Sequence, residues 1–175
     1  MSVLELTQGS LVALLGCSGS GKTSFAHRHF ARYQVLSSDV CRGLVADDEN
    51  DQNATPDAFD VLYFIAGKRL AKRRLTVIDA TNVNAFARGH VVNCAKQYKV
   101  KCVAVVLDLP IDLCIERATS RTDRRVTAGV VRSQHRSLAG AIGGLTNEGF
   151  DRVHLMRSMR ELDETTIAII DGSQD

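Results

Sequence analysis

The chain has 175 residues, 45 % hydrophobic and 24 % charged, with a formal net charge of +2. That length predicts a single domain with a sizeable core, and the composition excludes a disordered or fibrous protein. So small a net charge does not by itself point to nucleic acid, and any basic footprint must be local.

No repeat and no low-complexity segment interrupts the chain. Residues 11–15 (LVALL) read as a buried strand that runs into Gly16-Cys17-Ser18-Gly19-Ser20-Gly21-Lys22-Thr23, which satisfies G-x-x-x-x-G-K-[ST] at every fixed position. The glycines let the loop turn its backbone N–H groups inward on phosphate oxygens, and the helix expected over 23–32 aims the positive end of its dipole at the same place. Gly16, Ser18, Gly19, Ser20 and Gly21 would cradle the phosphates. Lys22 would reach the β- and γ-phosphates, and the Thr23 hydroxyl would ligate Mg²⁺. A short strand over 35–36 ends in Ser37-Ser38-Asp39, and a polar acidic loop follows at 47–52. The next helix spans 57–73, with Thr55 as capping hydroxyl, Pro56 at its first position and the cations Lys72, Arg73 and Arg74 at its negative end. A strand over 75–78 leads into Asp79. A helix over 85–99 capped by Asn84, a strand over 102–109 and a helix over 111–122 come next. A last long helix over 128–147 is capped by Thr127; its Val131, Leu138, Ile142 and Leu145 form a packing stripe weakened by Gly140, Gly143 and Gly144. Apolar runs at 153–156 and 167–170 are further strands. This alternation predicts an α/β fold with a mostly parallel sheet of about five strands flanked by helices.

Ligands in such sheets bind outside the carboxyl ends of the strands, where Asp39 falls. It is either the base that takes the proton of an attacking hydroxyl or the cap of a helix starting near Val40, and position alone does not decide. Arg42 would clamp an acceptor phosphate. Asp79, ending an apolar strand downstream of a phosphate loop, suits Mg²⁺ or its waters. Arg117, Arg121, Arg124, Arg125, Arg132 and Arg136 face a single acid, Asp123, between positions 117 and 136. A helix would stack Arg117, Arg121 and Arg124 on one face, a repulsion that makes sense with an anion between them; the alternative is a solvated basic face. Interruptions at 122–123 and 128–129 suggest a mobile arginine-bearing lid. The loop at 47–52 reads as solvated, apart from Gln52, which could hydrogen-bond a substrate.

The histidines at 27, 29, 90, 135 and 154 show no ligand spacing. The cysteines at 17, 41, 94, 102 and 114 contain no C-x-x-C pair and fit reduced thiols in a cytoplasmic protein. A regulatory role for Cys17 is the weaker reading. No signal peptide and no membrane-length apolar run is present.

Taken together, GCSGSGKTSFAHRHF, VLSSDVCRGLVADDENDQ, LTVIDATN and ERATSRTDR resemble the kinase module of bacterial polynucleotide kinase-phosphatase, an RNA end-healing and sealing enzyme of the P-loop phosphotransferase superfamily. The resemblance runs from about residue 11 to about residue 157, and the second segment is far more specific than the phosphate loop. It implies a P-loop kinase fold that moves the γ-phosphate of ATP or another NTP, with Mg²⁺ or Mn²⁺, to the 5′-hydroxyl of single-stranded RNA or DNA. It also implies that Lys22 and Thr23 hold phosphate and metal. Asp39 becomes the general base, Arg42 and Gln52 acceptor contacts, and Arg117 and Arg121 lid residues at the NTP phosphates, with Arg117 and Val130 sandwiching the base. Thr23 stands where serine is common. In the family this module is joined to phosphatase and ligase domains and works with an RNA-methyltransferase partner. Residues 1–175 would then be one kinase domain excised from the N-terminus of a larger polypeptide. Two other readings remain: a small-metabolite kinase on the same fold, and a non-catalytic nucleotide switch.

Overall fold

The computed structural model describes residues 3–124 and 126–171, so Arg125, one of the expected lid arginines, lies outside the described residues. In chain order the elements are β1 (Val3–Thr7), β2 (Leu11–Leu15), α1 (Lys22–His29), β3 (Val35–Ser37), α2 (Ser38–Ala46), α3 (Thr55–Leu70), β4 (Thr76–Asp79), α4 (Ala85–Tyr98), β5 (Cys102–Leu107), α5 (Ile111–Thr119), α6 (Ala128–Ala141), α7 (Leu145–Glu148), β6 (Arg152–Met156), α8 (Met159–Glu164) and β7 (Thr166–Ile170). Short 3-10 turns lie at Arg32–Gln34, Gln52–Ala54 and Ile142–Gly144.

The three most apolar runs form the middle of a five-stranded parallel sheet, ordered β3-β4-β2-β5-β6. Every residue of β2, β4 and β5 is buried, as strands covered on both faces must be. Alternate residues of β2 serve opposite cores: Leu11, Ala13 and Leu15 pack with α3 and α4, while Val12 and Leu14 pack with Phe25 and Ala26 of α1. The phosphate loop and Asp79 therefore leave adjacent central strands at one edge of the sheet. This is the α/β fold with about five parallel strands that the sequence predicts. No described helix is long and apolar enough to cross a membrane.

Several elements differ from expectation. The run at 167–170 does not join the main sheet, because Arg152–Met156 already occupies its edge in register with all of Val103–Leu107. It pairs instead with β1 in a separate two-stranded parallel sheet. The long helix over 128–147 is broken by the 3-10 turn containing Gly143 and Gly144, which pay maximal backbone entropy in a helix. Helix α3 begins at Thr55, because the turn at Gln52–Ala54 runs straight into it, so Thr55 makes no capping bond. Asn84 and Thr127 do cap, accepting from the N–H groups of Ala87 and Val130.

Helix α5 ends at Thr119, where the Thr119 hydroxyl donates back to the Ile115 carbonyl at 2.8 Å. Of the three arginines expected on one helical face, only Arg117 is helical; Arg121 and Arg124 lie in the connection to α6.

An ion pair with a buried arginine fixes α4 to α7. Arg88, 3 % exposed, donates to the Glu148 carboxylate at 2.6 and 2.7 Å and to the Val83 carbonyl at 2.7 Å. Removing one partner of such a pair leaves an uncompensated charge. Glu148→Ala is expected to lower the unfolding free energy by about 3 kcal/mol, read as a fall in the urea midpoint.

Candidate active site

The phosphate loop is shaped by contacts that only glycine permits. Gly19 and Gly21 have φ of 81° and 91°, and a Cβ on Gly19 would lie 2.1 Å from the Cys114 carbonyl oxygen of α5. The loop is thus pressed against the helix that leads into the arginine-bearing connection to α6. Gly21 caps α1 without any side-chain hydrogen bond, so the first N–H groups of that helix remain available to an anion. Ser20 is fully buried, and a Cβ on Gly16 would meet its hydroxyl at 2.4 Å. An alanine at position 19 would pay about 1–2 kcal/mol for its left-handed backbone alone, so Gly19→Ala is expected to weaken ATP binding by about tenfold, measured by nucleotide titration.

Lys22 is folded onto the loop, donating to the carbonyls of Gly16 at 2.8 Å and Cys17 at 2.9 Å. Burial pulls its pKa down, and Asp79 opposes that pull. Phosphate oxygens offer this ammonium a better counter-charge than two carbonyls do. The Cys17 thiol lies beside that of Cys114. The hydrogen bond from Cys114 holds the Cys17 pKa below its usual value despite burial, with help from Lys22, while the Cys114 pKa is pushed up.

Thr23 donates to Asp79 Oδ2 at 2.8 Å, bringing a hydroxyl and a carboxylate oxygen together beneath the loop. No cluster of three or more His, Cys, Asp or Glu side chains suited to a metal occurs among the described residues. A hydroxyl with one carboxylate fits a hard cation such as Mg²⁺, which keeps several waters and takes its other oxygens from phosphates.

Asp39 sits in the first turn of α2, but the cap of that helix is Ser37, whose Oγ accepts from the Val40 N–H. That frees the Asp39 carboxylate for two guanidiniums: Arg42 donates to Oδ1 at 2.8 Å, and Arg124 pairs with Oδ2. Arg42 also donates to the Glu49 carbonyl at 2.5 Å. Arg124 lies near enough to Lys22 to disfavour its charge, and burial lowers the pKa of Arg124 itself. The structure therefore places Lys22, Thr23, Asp79, Asp39, Arg42 and Arg124 around one centre. The Arg117 guanidinium reaches over Gly21, 3.9 Å from where its Cβ would be, and Val130 is half exposed at the start of α6.

Two expected residues stand apart. Arg121 is exposed and forms a bidentate pair with Asp123, at 3.0 and 2.5 Å. Gln52 is exposed and donates to the Asn50 carbonyl at 3.3 Å. The acidic loop is more than solvated, because Asn50 Nδ2 donates to the Asp123 carbonyl at 3.1 Å and ties it to the connection between α5 and α6.

Residues given no role in the sequence complete the site, Gln134 from outside every motif and Thr81 and Asn82 from the end of LTVIDATN. Gln134 of α6 accepts the Ser18 N–H at 2.8 Å, a position a phosphate oxygen could take. Asn82, left-handed at φ 48°, donates to the Leu14 carbonyl at 2.8 Å, and the Thr81 carbonyl accepts the Gly16 N–H at 3.1 Å. The first ties the loop after β4 to strand β2, the second to the start of the phosphate loop.

A family model described as an AAA domain matches residues 11–141. Among solved structures, the chain is similar to one in the Pnkp1/Rnl/Hen1 RNA repair complex, at 23 % identity and TM-score 0.66, covering 81 % of this chain and 46 % of that one. It is also similar to a gluconokinase from Sinorhizobium meliloti 1021, at 19 % identity and TM-score 0.55, covering 91 % and 88 %. A shikimate kinase from Acinetobacter baumannii, in complex with shikimate, matches at 19 % identity and TM-score 0.53, covering 88 % and 87 %. The chain spans less than half the length of the RNA repair protein and most of the two metabolite kinases. All three share the P-loop kinase fold with it. With the family model matching from strand β2 through helix α6, the chain belongs to the AAA domain family of P-loop proteins.

Proposed function

We propose that this chain transfers the γ-phosphate of ATP, or another NTP, to the 5′-hydroxyl of a single-stranded RNA or DNA end. The observation that carries this reading is the Asp39 carboxylate, gripped on one oxygen by Arg42 and on the other by Arg124 beside Lys22. A phosphotransferase needs a carboxylate base near the phosphate loop, and a nucleotide switch does not. The motif resemblance extends beyond the phosphate loop to that acceptor side, and the similar protein in an RNA repair complex supports a polynucleotide acceptor.

In this mechanism the loop amides and Lys22 hold the β- and γ-phosphates. Bound Mg²⁺, at Thr23 and Asp79, would neutralise charge on the phosphate oxygens. Triphosphate oxygens draw Arg124 away from Asp39 Oδ2 and displace the Gln134 oxygen from the Ser18 N–H. Arg42 keeps its hold on Oδ1, so the freed Oδ2 can accept the proton of the 5′-hydroxyl. Arg42 also faces the acceptor phosphate, with Gln52 at the margin of that side. Arg117 and Val130 flank the NTP base, and Arg121 joins the phosphates when its pair with Asp123 opens. Most of the rate comes from positioning and charge neutralisation. The chain would be one domain of a longer polypeptide, working with phosphatase and ligase domains and an RNA methyltransferase.

A small-metabolite kinase is the second reading, favoured by the coverage of nearly the whole gluconokinase and shikimate kinase chains. Incubation with γ-labelled ATP, Mg²⁺ and matched 5′-OH RNA and DNA oligomers, against gluconate and shikimate, separates the two. Label in an oligomer supports the proposal. Label confined to a metabolite overturns it, and ATP binding without transfer to any hydroxyl leaves the nucleotide switch.

A further inference from the structure

A groove of about 760 Å³ opens at the opposite end of the sheet from the phosphate loop. Its walls come from the residues just before β3 and β4, the last turns of α3, and Gln8 and Ile169 beside the small sheet. Four cations line it, Lys68, Arg69, Lys72 and Arg74, and no acid does. Among the described residues none of the four has a carboxylate partner. Arg69 is tethered to the Leu75 carbonyl at 2.8 Å; burial lowers its pKa first, and the neighbouring Arg74 lowers it further. Cations near the end of a helix are ordinary, since they suit its dipole. The aromatics are not so explained: Tyr33 and Phe64 line the same groove at 76 % and 66 % exposure. The Lys68 ammonium lies 5.1 Å from the Phe64 ring, and the Arg32 guanidinium 5.6 Å from Tyr33.

We infer that this groove is a nucleic-acid site separate from the phosphate loop, which holds a single strand through its phosphates on Lys68, Lys72 and Arg74 and through bases stacked on Tyr33 and Phe64. Unpaired cations interleaved with exposed rings are what a flexible polyanion carrying planar faces requires. An acidic peptide would satisfy the charges and leave the rings uncovered. The path to the catalytic centre lies along edge strand β3, about 10 Å long, with the groove at its start and Asp39 just past its end.

The site does not depend on the phosphoryl-transfer reading, and its test avoids it. A 3′-labelled, 5′-phosphorylated RNA 12-mer, unable to act as acceptor, is titrated without ATP by fluorescence anisotropy. Tyr33→Ala with Phe64→Ala is expected to raise Kd by about tenfold or more with an unchanged melting temperature, both rings being exposed. Lys68→Gln with Lys72→Gln should flatten the dependence of log affinity on log salt by about 1.4. Unchanged affinity in both variants, or no strand binding at all, overturns the inference and leaves a protein surface as occupant. AMP competing as well as the strand also overturns it, in favour of a mononucleotide pocket. Loss of transfer with groove-dependent binding intact removes only the kinase reading.

Discussion

Replacing Asp39 by asparagine is expected to lower phosphoryl transfer to a 5′-hydroxyl by about 100- to 10,000-fold while leaving ATP affinity nearly intact. Asparagine keeps the shape of the side chain and an oxygen for the Arg42 donor, but it loses the capacity to take a proton. The residue lies on α2, outside the phosphate loop, so nucleotide binding through Lys22 and the loop amides does not require it. Single-turnover transfer from γ-labelled ATP, beside a direct ATP titration, separates the two effects. Turnover near that of the unaltered protein would remove Asp39 as the base. A matching collapse of ATP affinity would make it a structural tie for Arg42 and Arg124 instead.

Arg124→Ala is the second large effect. It is expected to slow transfer by about 100-fold, as the loss of one donor to transition-state charge does elsewhere. Arg124 bridges Asp39 and the surroundings of Lys22, whereas Arg121 is exposed and neutralised by Asp123. Arg121→Ala is therefore expected to cost less than Arg124→Ala under identical conditions. The reverse order would mean that the lid rearranges on nucleotide binding until Arg121, not Arg124, faces the phosphates.

The contrast shows how far a sequence reaches. The phosphate loop, Thr23 and Asp79 were legible because the chemistry needs fixed residue types at fixed spacing, and a strand end delivers them. The middle strands were legible because burial on both faces leaves an unbroken apolar run. Edge elements were not: β1 (VLELT) carries only two buried leucines, and β6 and β7 compete for partners in a way that register, not composition, settles. Placing Arg117, Arg121 and Arg124 on one face assumed that the helix continued past Thr119. When it stops, the phase relation is lost, and Asp123 captures Arg121 while Arg124 turns inward. The contact of Gln134 with Ser18 joins positions far apart in the chain, and nothing local in either segment announces it.

The most direct test is the structure of the protein with Mg²⁺, a non-hydrolysable ATP analogue and a 5′-OH oligomer. The account predicts an Asp39 carboxylate oxygen within about 2.6–3.2 Å of the terminal 5′ oxygen, that oxygen in line with the γ-phosphorus, and Arg124 moved onto the phosphates. Asp39 still closed on both arginines, with the strand end seated elsewhere, would contradict it.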